Sequence, residues 1–364
     1  MKVPMANPIL TEEMIQAAAN AYRNERWTLG DSVTKFEEAF ARMCGTKHAV
    51  AVNSGTAALQ LALLSSGVKA GDRVLSSSLS FVASTNSFVA FGGVPGFVDV
   101  IDGEFNMDPS KLKKAIDLKT KAVIPVDLYG YPYRADELNE VAKKAGLVVV
   151  EDAAQAHGAR YKGRGTGSLG DIGCFSFYPS KNMHVAGDGG MITTNDEKVA
   201  ELCKKYRNCG RKGQYEHDVI GYTMRLNTAN AAIGLEQLKH LPAWNEKRRA
   251  AAKQYDDLLK GVGDLKLPPQ PTNDIEPVYH LYTIRTKRRN ELKAFLESKQ
   301  VGVGVHYDTP IHLQPIYKEL FGFKEGMLPI TEQICKEVLV LPMFVDITSE
   351  QIRYVAECVK GFFG

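Results

Sequence analysis

Three polar groups stand directly after predicted buried strands, where they could do chemistry together. Asp152 ends the run Val148–Asp152, Lys181 follows the alternating Phe175 and Phe177, and Ser54-Gly55-Thr56 follows His48–Val52. Singly, each has an ordinary structural explanation: a lysine is usually a surface charge, a strand-end aspartate caps a helix, and Ser-Gly-Thr makes an N-cap. Ligands of open α/β sheets bind outside the carboxyl ends of the strands. The sequence therefore predicts that these groups meet at one sheet edge.

The combination matches what pyridoxal phosphate (PLP) requires of a protein. The amine of Lys181 can form a Schiff base with the aldehyde, and Asp152 can keep the ring nitrogen protonated. Backbone N–H groups at Gly55, with the Thr56 hydroxyl, form an anion site at a helix N-terminus for the phosphate. The glycine tract 187–190 lets the backbone approach closely behind the lysine. We therefore predict a PLP site with Lys181 and Asp152 as its catalytic residues.

The segment Gly165–Gly170 matches the dinucleotide-binding pattern G-x-G-x-x-G. That fingerprint needs a strand before it and a helix after it. Here the next residues, 171–177, have the pattern of a strand, and the preceding ones form a turn. We interpret the segment as a glycine-rich turn.

The elements that must position these residues alternate between short apolar strands and amphipathic helices. The predicted strands are His48–Val52, Arg73–Leu75, Val94–Val98, Ala122–Val126 and Leu147–Val150, and the predicted helices are Ala57–Leu64, Pro109–Ile116 and Arg134–Ala145. This pattern predicts an α/β fold with a mainly parallel sheet.

A long helical pattern follows residue 231, and the Pro-rich stretch Leu267–Asp274 reads as a linker. Beyond it we expect strands at Tyr279–Arg285 and Val301–Val305 and helices at Asn290–Ser298 and Ser349–Val359. We predict a large domain over residues 1–245, including an N-terminal arm, and a smaller α+β domain over residues 246–364.

Composition narrows the class of protein. The 364 residues carry 45 Lys and Arg against 42 Asp and Glu, a balance too mild to predict a nucleic-acid or membrane partner. Six cysteines without paired spacing predict no metal site and fit a reducing cytosol. The N-terminus lacks the apolar run of a signal peptide. These features predict a cytoplasmic protein.

The sequence resembles the nucleotide-sugar aminotransferases of the DegT/StrS type, which are fold-type I PLP enzymes of the aspartate aminotransferase superfamily. The resemblance runs nearly end to end. It is carried by about a dozen ordered blocks, among them Trp27–Gly30, Ser54–Leu59, Ala122–Gly130, Glu151–Gly158, Ser176–Gly190, Gly221–Arg225 and His306–His312.

The resemblance implies a role for individual residues. Lys181 would be the Schiff-base lysine, Asp152 would pair with the ring nitrogen, and Gln155 would contact the ring hydroxyl. Phe81 would stack on the ring, and Gly55, Thr56 and Ser176 would hold the phosphate. The resemblance also implies contacts with the substrate by Trp27, Arg225, His306, Tyr307 and His312. For each histidine the alternative is a buried structural role.

The resemblance also implies partners. Active sites would be shared in a homodimer, with the segment Gly221–Arg225 reaching the neighbouring subunit. Two positions depart from the family's usual pattern: Thr223 stands where Asn is common, and Asp127 where His is common. A Thr hydroxyl could replace the Asn contact at shorter reach, and Asp127 receives no role.

The implied reaction is a ping-pong transamination between glutamate and a nucleotide-linked keto sugar, with a keto-deoxy sugar favoured. Three alternatives remain. Another fold-type I activity, such as a cysteine desulfurase, would need a mobile reactive Cys, which nothing in the sequence identifies. A PLP-dependent sugar dehydratase of this type has His at the lysine position, which Lys181 disfavours. A non-catalytic PLP-binding regulatory protein would bind the cofactor and show no half-reaction with an amino donor.

Overall fold

A seven-stranded sheet, covered by helices, forms the centre of the computed structural model, which describes residues 1–364. The strands are β1 (His48–Val52), β2 (Arg73–Ser77), β3 (Val94–Val98), β4 (Thr120–Ile124), β5 (Val148–Asp152), β6 (Arg160–Tyr161), β7 (Arg164–Gly165), β8 (Ile172–Ser176), β9 (Gly190–Thr194), β10 (Ile275–Glu276), β11 (Tyr282–Arg285) and β12 (Val338–Leu341). The central sheet has the order β1-β9-β8-β5-β4-β2-β3. Only β9 runs against the others. The predicted α/β class is confirmed.

The helices are α1 (Glu12–Asn24), α2 (Asp31–Cys44), α3 (Gly55–Ser65), α4 (Ala83–Val89), α5 (Pro109–Ala115), α6 (Ala135–Lys144), α7 (Glu197–Tyr206), α8 (Thr228–Leu259), α9 (Arg289–Ser298), α10 (Pro315–Phe321), α11 (Pro329–Glu337) and α12 (Ser349–Phe363). None of them combines the length and the apolar character needed to cross a lipid bilayer.

Two apolar clusters enclose the central sheet. On one face, α3 contributes six of its apolar residues to a core of nineteen buried side chains that also contains strand residues from β1, β5 and β8. On the other face, two phenylalanines of α2, one of β8 and the one directly after β8 contact one another, namely Phe36, Phe40, Phe175 and Phe177. Continuous apolar strands buried on both faces are typical of parallel sheets. The clusters hold the strand ends that carry the polar residues.

The C-terminal elements form a separate cluster around the hairpin-like pair β11 and β12, which is antiparallel. Residues of α9, α12 and the last third of α8 pack into it. The helix α8 therefore passes through residue 245, where we placed the domain boundary, and contributes to both parts. The division at 245/246 stays a prediction.

One expectation for this C-terminal part was wrong, and one strand was missed. Val301–Val305 is not a strand, because only single bridges form there, from Val301 to Val3 and from Gly304 to Val340. The strand β12 was not predicted. The stretch Leu267–Asp274 lies outside helices and strands, as expected of a linker.

The G-x-G-x-x-G segment is a turn followed by β8, as predicted. Its amides bind a carboxylate of the same chain: the Glu151 oxygens accept the N–H groups of Gly167 at 2.7 Å, Leu169 at 2.9 Å and Gly170 at 3.2 Å. Glu151 is fully buried in this turn. The anion that the glycine-rich segment binds is therefore the Glu151 carboxylate of the protein itself.

Candidate functional site

The register of the sheet brings the predicted phosphate-binding residues together. Gly190, at the start of β9, is paired with Val52 of β1 on one side and with Ser176 of β8 on the other. A Cβ atom at Gly190 would lie 2.3 Å from the carbonyl oxygen of Ser54, so only glycine fits there. The end of β1 and Ser176 consequently flank the same point of the sheet edge.

The helix α3 begins at this point and presents unpaired donors. The Ser54 side chain caps it by accepting the Ala57 N–H at 3.1 Å. The N–H groups of Gly55 and Thr56 and the Thr56 hydroxyl have no acceptor within the chain. A Cβ atom at Gly55 would lie 2.7 Å from that of Ser176, so the helix start lies directly against β8. Free amides at a helix N-terminus, beside two hydroxyls, fit a phosphate group.

Lys181 follows β8 in a turn that is fixed on both sides. Its N–H donates to the Tyr178 carbonyl oxygen at 2.9 Å. The neighbouring Asn182 side chain donates to Asn245 Oδ1 at 3.1 Å and to the Val278 carbonyl oxygen at 3.0 Å. Lys181 itself is half-buried and has no carboxylate within 4.0 Å. Burial lowers the pKa of its ammonium to about 8, although the charge of Asp152 acts in the opposite direction.

This pKa gives Lys181 the chemistry of a nucleophile and proton carrier. An ordinary lysine near pKa 10.5 is almost entirely charged at neutral pH, and a charged amine cannot attack an aldehyde. A value near 8 leaves an appreciable neutral fraction. The group can then form a Schiff base and later exchange a proton near neutral pH.

Asp152 is the last residue of β5 and is buried. Its Oδ2 accepts the Ser84 hydroxyl at 2.7 Å, and its Oδ1 accepts the Ala154 N–H at 3.2 Å. Burial raises the pKa of the carboxyl group, while the Ser84 hydrogen bond, the Ala154 N–H and the Lys181 charge oppose that rise. The hydrogen bonds leave lone pairs on both oxygens, so a protonated ring nitrogen has an acceptor here.

Gln155 and Tyr307 lie beside this pair. The Gln155 side-chain oxygen accepts the Tyr129 N–H at 2.8 Å, and its amide nitrogen is 3.5 Å from the Tyr307 hydroxyl. Phe81 is 56% exposed, and its ring centre is 6.1 Å from that of Tyr307. An aromatic face this exposed is unusual for a core residue and is available for stacking. Tyr307 is therefore the residue through which the C-terminal part contacts Gln155 and Phe81.

The remaining substrate candidates occupy different surroundings. His312 is completely buried, with Nδ1 2.8 Å from the Ser78 hydroxyl and Nε2 3.1 Å from Glu332 Oε1. Both ring nitrogens are thus already paired, which gives His312 a role in joining two parts of the chain and leaves no nitrogen for a sugar. His306 has a buried Nδ1 without a partner, and burial followed by the Lys181 charge lowers its pKa.

Arg225 lines an open cleft of about 620 Å³ next to the helix α3 N-terminus, together with Asn53, Ser54, Gly187, Asp188, Asn227 and Asn230 among others. Its guanidinium donates to Asn208 Oδ1 at 2.7 Å. Trp27 is 68% exposed near the same cleft, where its carbonyl oxygen accepts the Thr228 N–H. Neither residue contacts the Lys181 and Asp152 pair within this chain.

The two departures from the family pattern also have definite places. Thr223 is exposed, and its hydroxyl is 3.4 Å from the Cys209 sulfur. Asp127 is fully buried, and its N–H donates to the Asp152 carbonyl oxygen at 3.0 Å. Burial, followed by the Glu151 charge, raises the pKa of Asp127 well above its ordinary value. Asp127 therefore supports the end of β5 from within the core and does not line the pocket surface.

Sequence reasoning missed Ser84, Asn182 and the Tyr129 amide, which orient the predicted residues. Ser84 could have been suspected, because it lies in a 25-residue stretch without charge that contains six serines. Serines buried in such a stretch need hydrogen-bond partners. The identity of those partners depends on which strands are neighbours.

The fold and this site define a class of protein, and comparison with known proteins identifies it. The model of the DegT/DnrJ/EryC1/StrS aminotransferase family matches residues 8–360, so the chain belongs to that family. The resemblance found in the sequence is thereby confirmed.

Individual relatives match over almost their whole length. The chain is 42% identical to the "Pleiotropic regulatory protein" of Geobacillus stearothermophilus over 100% of this chain and 99% of the relative. It is 40% identical to the dTDP-3-amino-3,4,6-trideoxy-alpha-D-glucose transaminase of Streptomyces venezuelae, over 96% of this chain and 92% of the relative. The crystal structure of S. venezuelae DesV in complex with a ketimine intermediate superposes with a TM-score of 0.96 at 39% identity, covering 99% of this chain and 98% of that one.

Proposed function

We propose that this protein is a PLP-dependent aminotransferase that moves the amino group of glutamate to the keto carbon of a nucleotide-linked sugar, with a keto-deoxy sugar favoured. The observation that carries the proposal is that Lys181 and Asp152 lie at one sheet edge beside a helix N-terminus whose first amides have no acceptor. Family membership and the sugar transaminase among the relatives support it.

When bound, PLP withdraws electrons from the carbon that bears the transferred amine, so that its proton can leave. The chain's own residues then divide the work. The amides of Gly55 and Thr56, with the hydroxyls of Thr56 and Ser176, hold the phosphate. Asp152 keeps the ring nitrogen protonated, and Gln155 binds the ring hydroxyl. Phe81 packs against the face of the ring.

Lys181 carries the proton between the substrate carbon and the cofactor. Because its pKa is lowered to about 8, the amine can take up and release a proton near neutral pH. The turn fixed at Asn182 holds the backbone of Lys181 beside the end of β8, and such positioning supplies part of the rate acceleration. Glutamate leaves as 2-oxoglutarate in the first half of the reaction, and the amino sugar leaves in the second.

The substrate-binding contacts belong to the same proposal. Arg225 would bind a substrate phosphate or the glutamate carboxylate, and His306, Tyr307 and Trp27 would line the sugar pocket. We further propose a cytoplasmic homodimer, in which the cleft lined by Arg225 meets the site of the neighbouring subunit. The exposure of Trp27, Tyr215 and Ile220 supports such an interface, since large apolar side chains are rarely left this open.

Two half-reactions test the proposal. PLP-loaded protein is mixed with glutamate, and loss of the visible absorbance together with release of 2-oxoglutarate is expected. The aminated protein is then offered UDP-, dTDP- and GDP-linked keto sugars, and mass spectrometry detects the amino sugar. PLP binding without either half-reaction, over a panel of amino donors, would overturn the proposal.

That negative outcome would favour the second candidate, a PLP-binding regulatory protein. The name of the Geobacillus relative is the observation in its favour. A dehydratase is disfavoured because the position after β8 holds Lys181 and not histidine.

A further inference from the structure

Two serine hydroxyls form a short chain that ends on Asp152. Ser84 Oγ is 2.7 Å from Asp152 Oδ2, and Ser80 Oγ is 2.7 Å from Ser84 Oγ. Ser80 is 4% exposed and Ser84 is 1% exposed, so water does not compete for these bonds. An ionised carboxylate only accepts hydrogen bonds. Ser84 therefore donates to Asp152, and Ser80 donates to Ser84.

The two serines belong to the segment that connects β2 to α4, and not to the strand that carries Asp152. Ser80 follows the end of β2, and Ser84 lies in the first turn of α4, whereas Asp152 ends β5. The strand β4 separates β2 from β5 in the sheet. Phe81 stands between the two serines in sequence. One five-residue segment thus holds both the aromatic ring proposed to stack on the cofactor and the hydroxyls that bind Asp152.

No other side chain donates a hydrogen bond to Asp152. The titratable groups whose charges act on it or feel its charge are Lys181, Tyr307, Asp127 and Cys174. Of these, only Lys181 carries a positive charge, and it is not within 4.0 Å. Burial by itself favours the neutral acid. The Ser84 hydroxyl is consequently the strongest local contact that favours the carboxylate.

We propose that Ser84, supported by Ser80, is a positioning residue that keeps Asp152 ionised and oriented toward the ring nitrogen of the cofactor. The proposal rests on the proposed function, because it assigns the two serines a purpose toward PLP. A neutral Asp152 could not keep the ring nitrogen protonated. An unprotonated ring would withdraw electrons less strongly from the carbon that loses its proton.

The test compares four variants of the full-length protein loaded with PLP. Ser84→Ala removes the donor, Ser84→Thr restores a hydroxyl, and Ser80→Ala removes only the supporting bond. Ser87→Ala is the matched control, because Ser87 is equally buried in α4 but donates to the Ser84 carbonyl oxygen at 3.1 Å.

Three measurements separate positioning from folding. For Ser84→Ala we expect the affinity of the apoprotein for PLP, followed by fluorescence titration, to fall about tenfold. The kcat of transamination should fall by about tenfold to about a hundredfold, since a hydrogen bond to a charged group is lost. The pH midpoint of the visible absorbance should rise by about one unit, because a ring without its proton no longer repels a second proton on the Lys181 nitrogen.

We expect Ser84→Thr to recover most of each value and Ser80→Ala to show a smaller change in the same direction. If Ser84 had only a structural role, Ser84→Ala would lower the melting temperature and leave the pH midpoint and the PLP affinity as in Ser87→Ala. That result would overturn this inference but not the proposed function. If the unaltered protein failed to bind PLP, the proposed function would fail first. The two failures are therefore distinguishable.

Discussion

Two buried polar regions adjoin the same edge of the sheet, and they differ in how completely their groups are paired. Where the C-terminal part meets the strands, Asp99 accepts the Thr331 N–H and hydroxyl, each at 2.8 Å, at the start of α11. Beside it, His312 bridges Ser78 and Glu332 through both ring nitrogens. At this junction each polar side chain has a partner.

The region around Lys181 is different. Its ammonium has no carboxylate within 4.0 Å, the first amides of α3 lack acceptors, and His306 Nδ1 is buried without a partner. Leaving polar groups desolvated and unpaired costs stability. The region whose polar groups all have hydrogen-bond partners therefore joins parts of the chain. The region with unpaired polar groups is where a ligand can supply the missing partners.

The strongest test of this difference is Lys181→Ala. Without the amine no covalent link to PLP forms, so the visible absorbance should disappear and amine transfer should fall by about three orders of magnitude or more. Absorbance spectra and the glutamate half-reaction measure both. The surface variant Lys143→Ala serves as control. If the variant kept the absorbance, another lysine would be the one that binds the cofactor.

Asp152→Asn is expected to have the next largest effect. The amide is nearly the same size but carries no charge, so PLP still binds while the ring nitrogen loses its counter-ion. We expect kcat to fall by about two to three orders of magnitude. Steady-state kinetics and PLP titration give the two values, with the exposed Asp117→Asn as control. Full activity in the variant would remove the argument for pairing with the ring nitrogen.

His312→Ala probes the fully paired region. The substitution leaves Ser78 and Glu332 without their shared partner, so the free energy of unfolding should decrease by about 3 kcal/mol. Urea denaturation measures it against the exposed His217→Ala. A raised KM for the sugar substrate with unchanged stability would instead assign His312 to the sugar pocket.

His157 should give the smallest effect, which appears only in acid. Both of its ring nitrogens are buried without partners, and burial followed by the Lys181 charge lowers its pKa to about 3. The unfolded chain therefore takes up this proton as the pH falls below about 6.5, while the folded chain does not. The titration of His157 alone should therefore lower the free energy of unfolding by about 1.4 kcal/mol for each pH unit below about 6.5.

The variant His157→Phe keeps an aromatic ring beside Phe175 and Phe177 and removes the titration. Unfolding by urea at several pH values between 7 and 5 should show a shallower decline than in the unaltered chain. Parallel declines would mean that His157 is protonated in the folded state.

The sequence predicted the central sheet better than the C-terminal part. The strands β1 and β3 match their predicted bounds, because short apolar runs between glycine-rich turns are strong local signals. The strand predicted at Ala122–Val126 lies two residues earlier, at Thr120–Ile124. The strand β12 escaped prediction because its four apolar residues directly follow α11, and so short an apolar run cannot be told from a buried helix segment by its pattern.

The candidate site divides in the same way. Lys181, Asp152 and Gly55 could be found because each stands where a predicted strand ends. The Ser84 contact could not, since it requires knowing that β2 and β5 lie two places apart in the sheet. The burial of His312 likewise depends on Glu332, which comes from α11 in the C-terminal part.

The unbroken course of α8 has a practical consequence. Ala231 and Leu241, in its first half, belong to the cluster that contains Phe36, while Ala252, Tyr255 and Leu259 belong to the C-terminal cluster. Cutting the polypeptide after residue 245 would divide α8, but Ala252, Tyr255 and Leu259 would stay with the C-terminal fragment, whose apolar cluster would lose only Val3. Since eighteen of the nineteen buried residues of this cluster lie after residue 245, we expect the fragment 246–364 to keep its own core when it is produced alone.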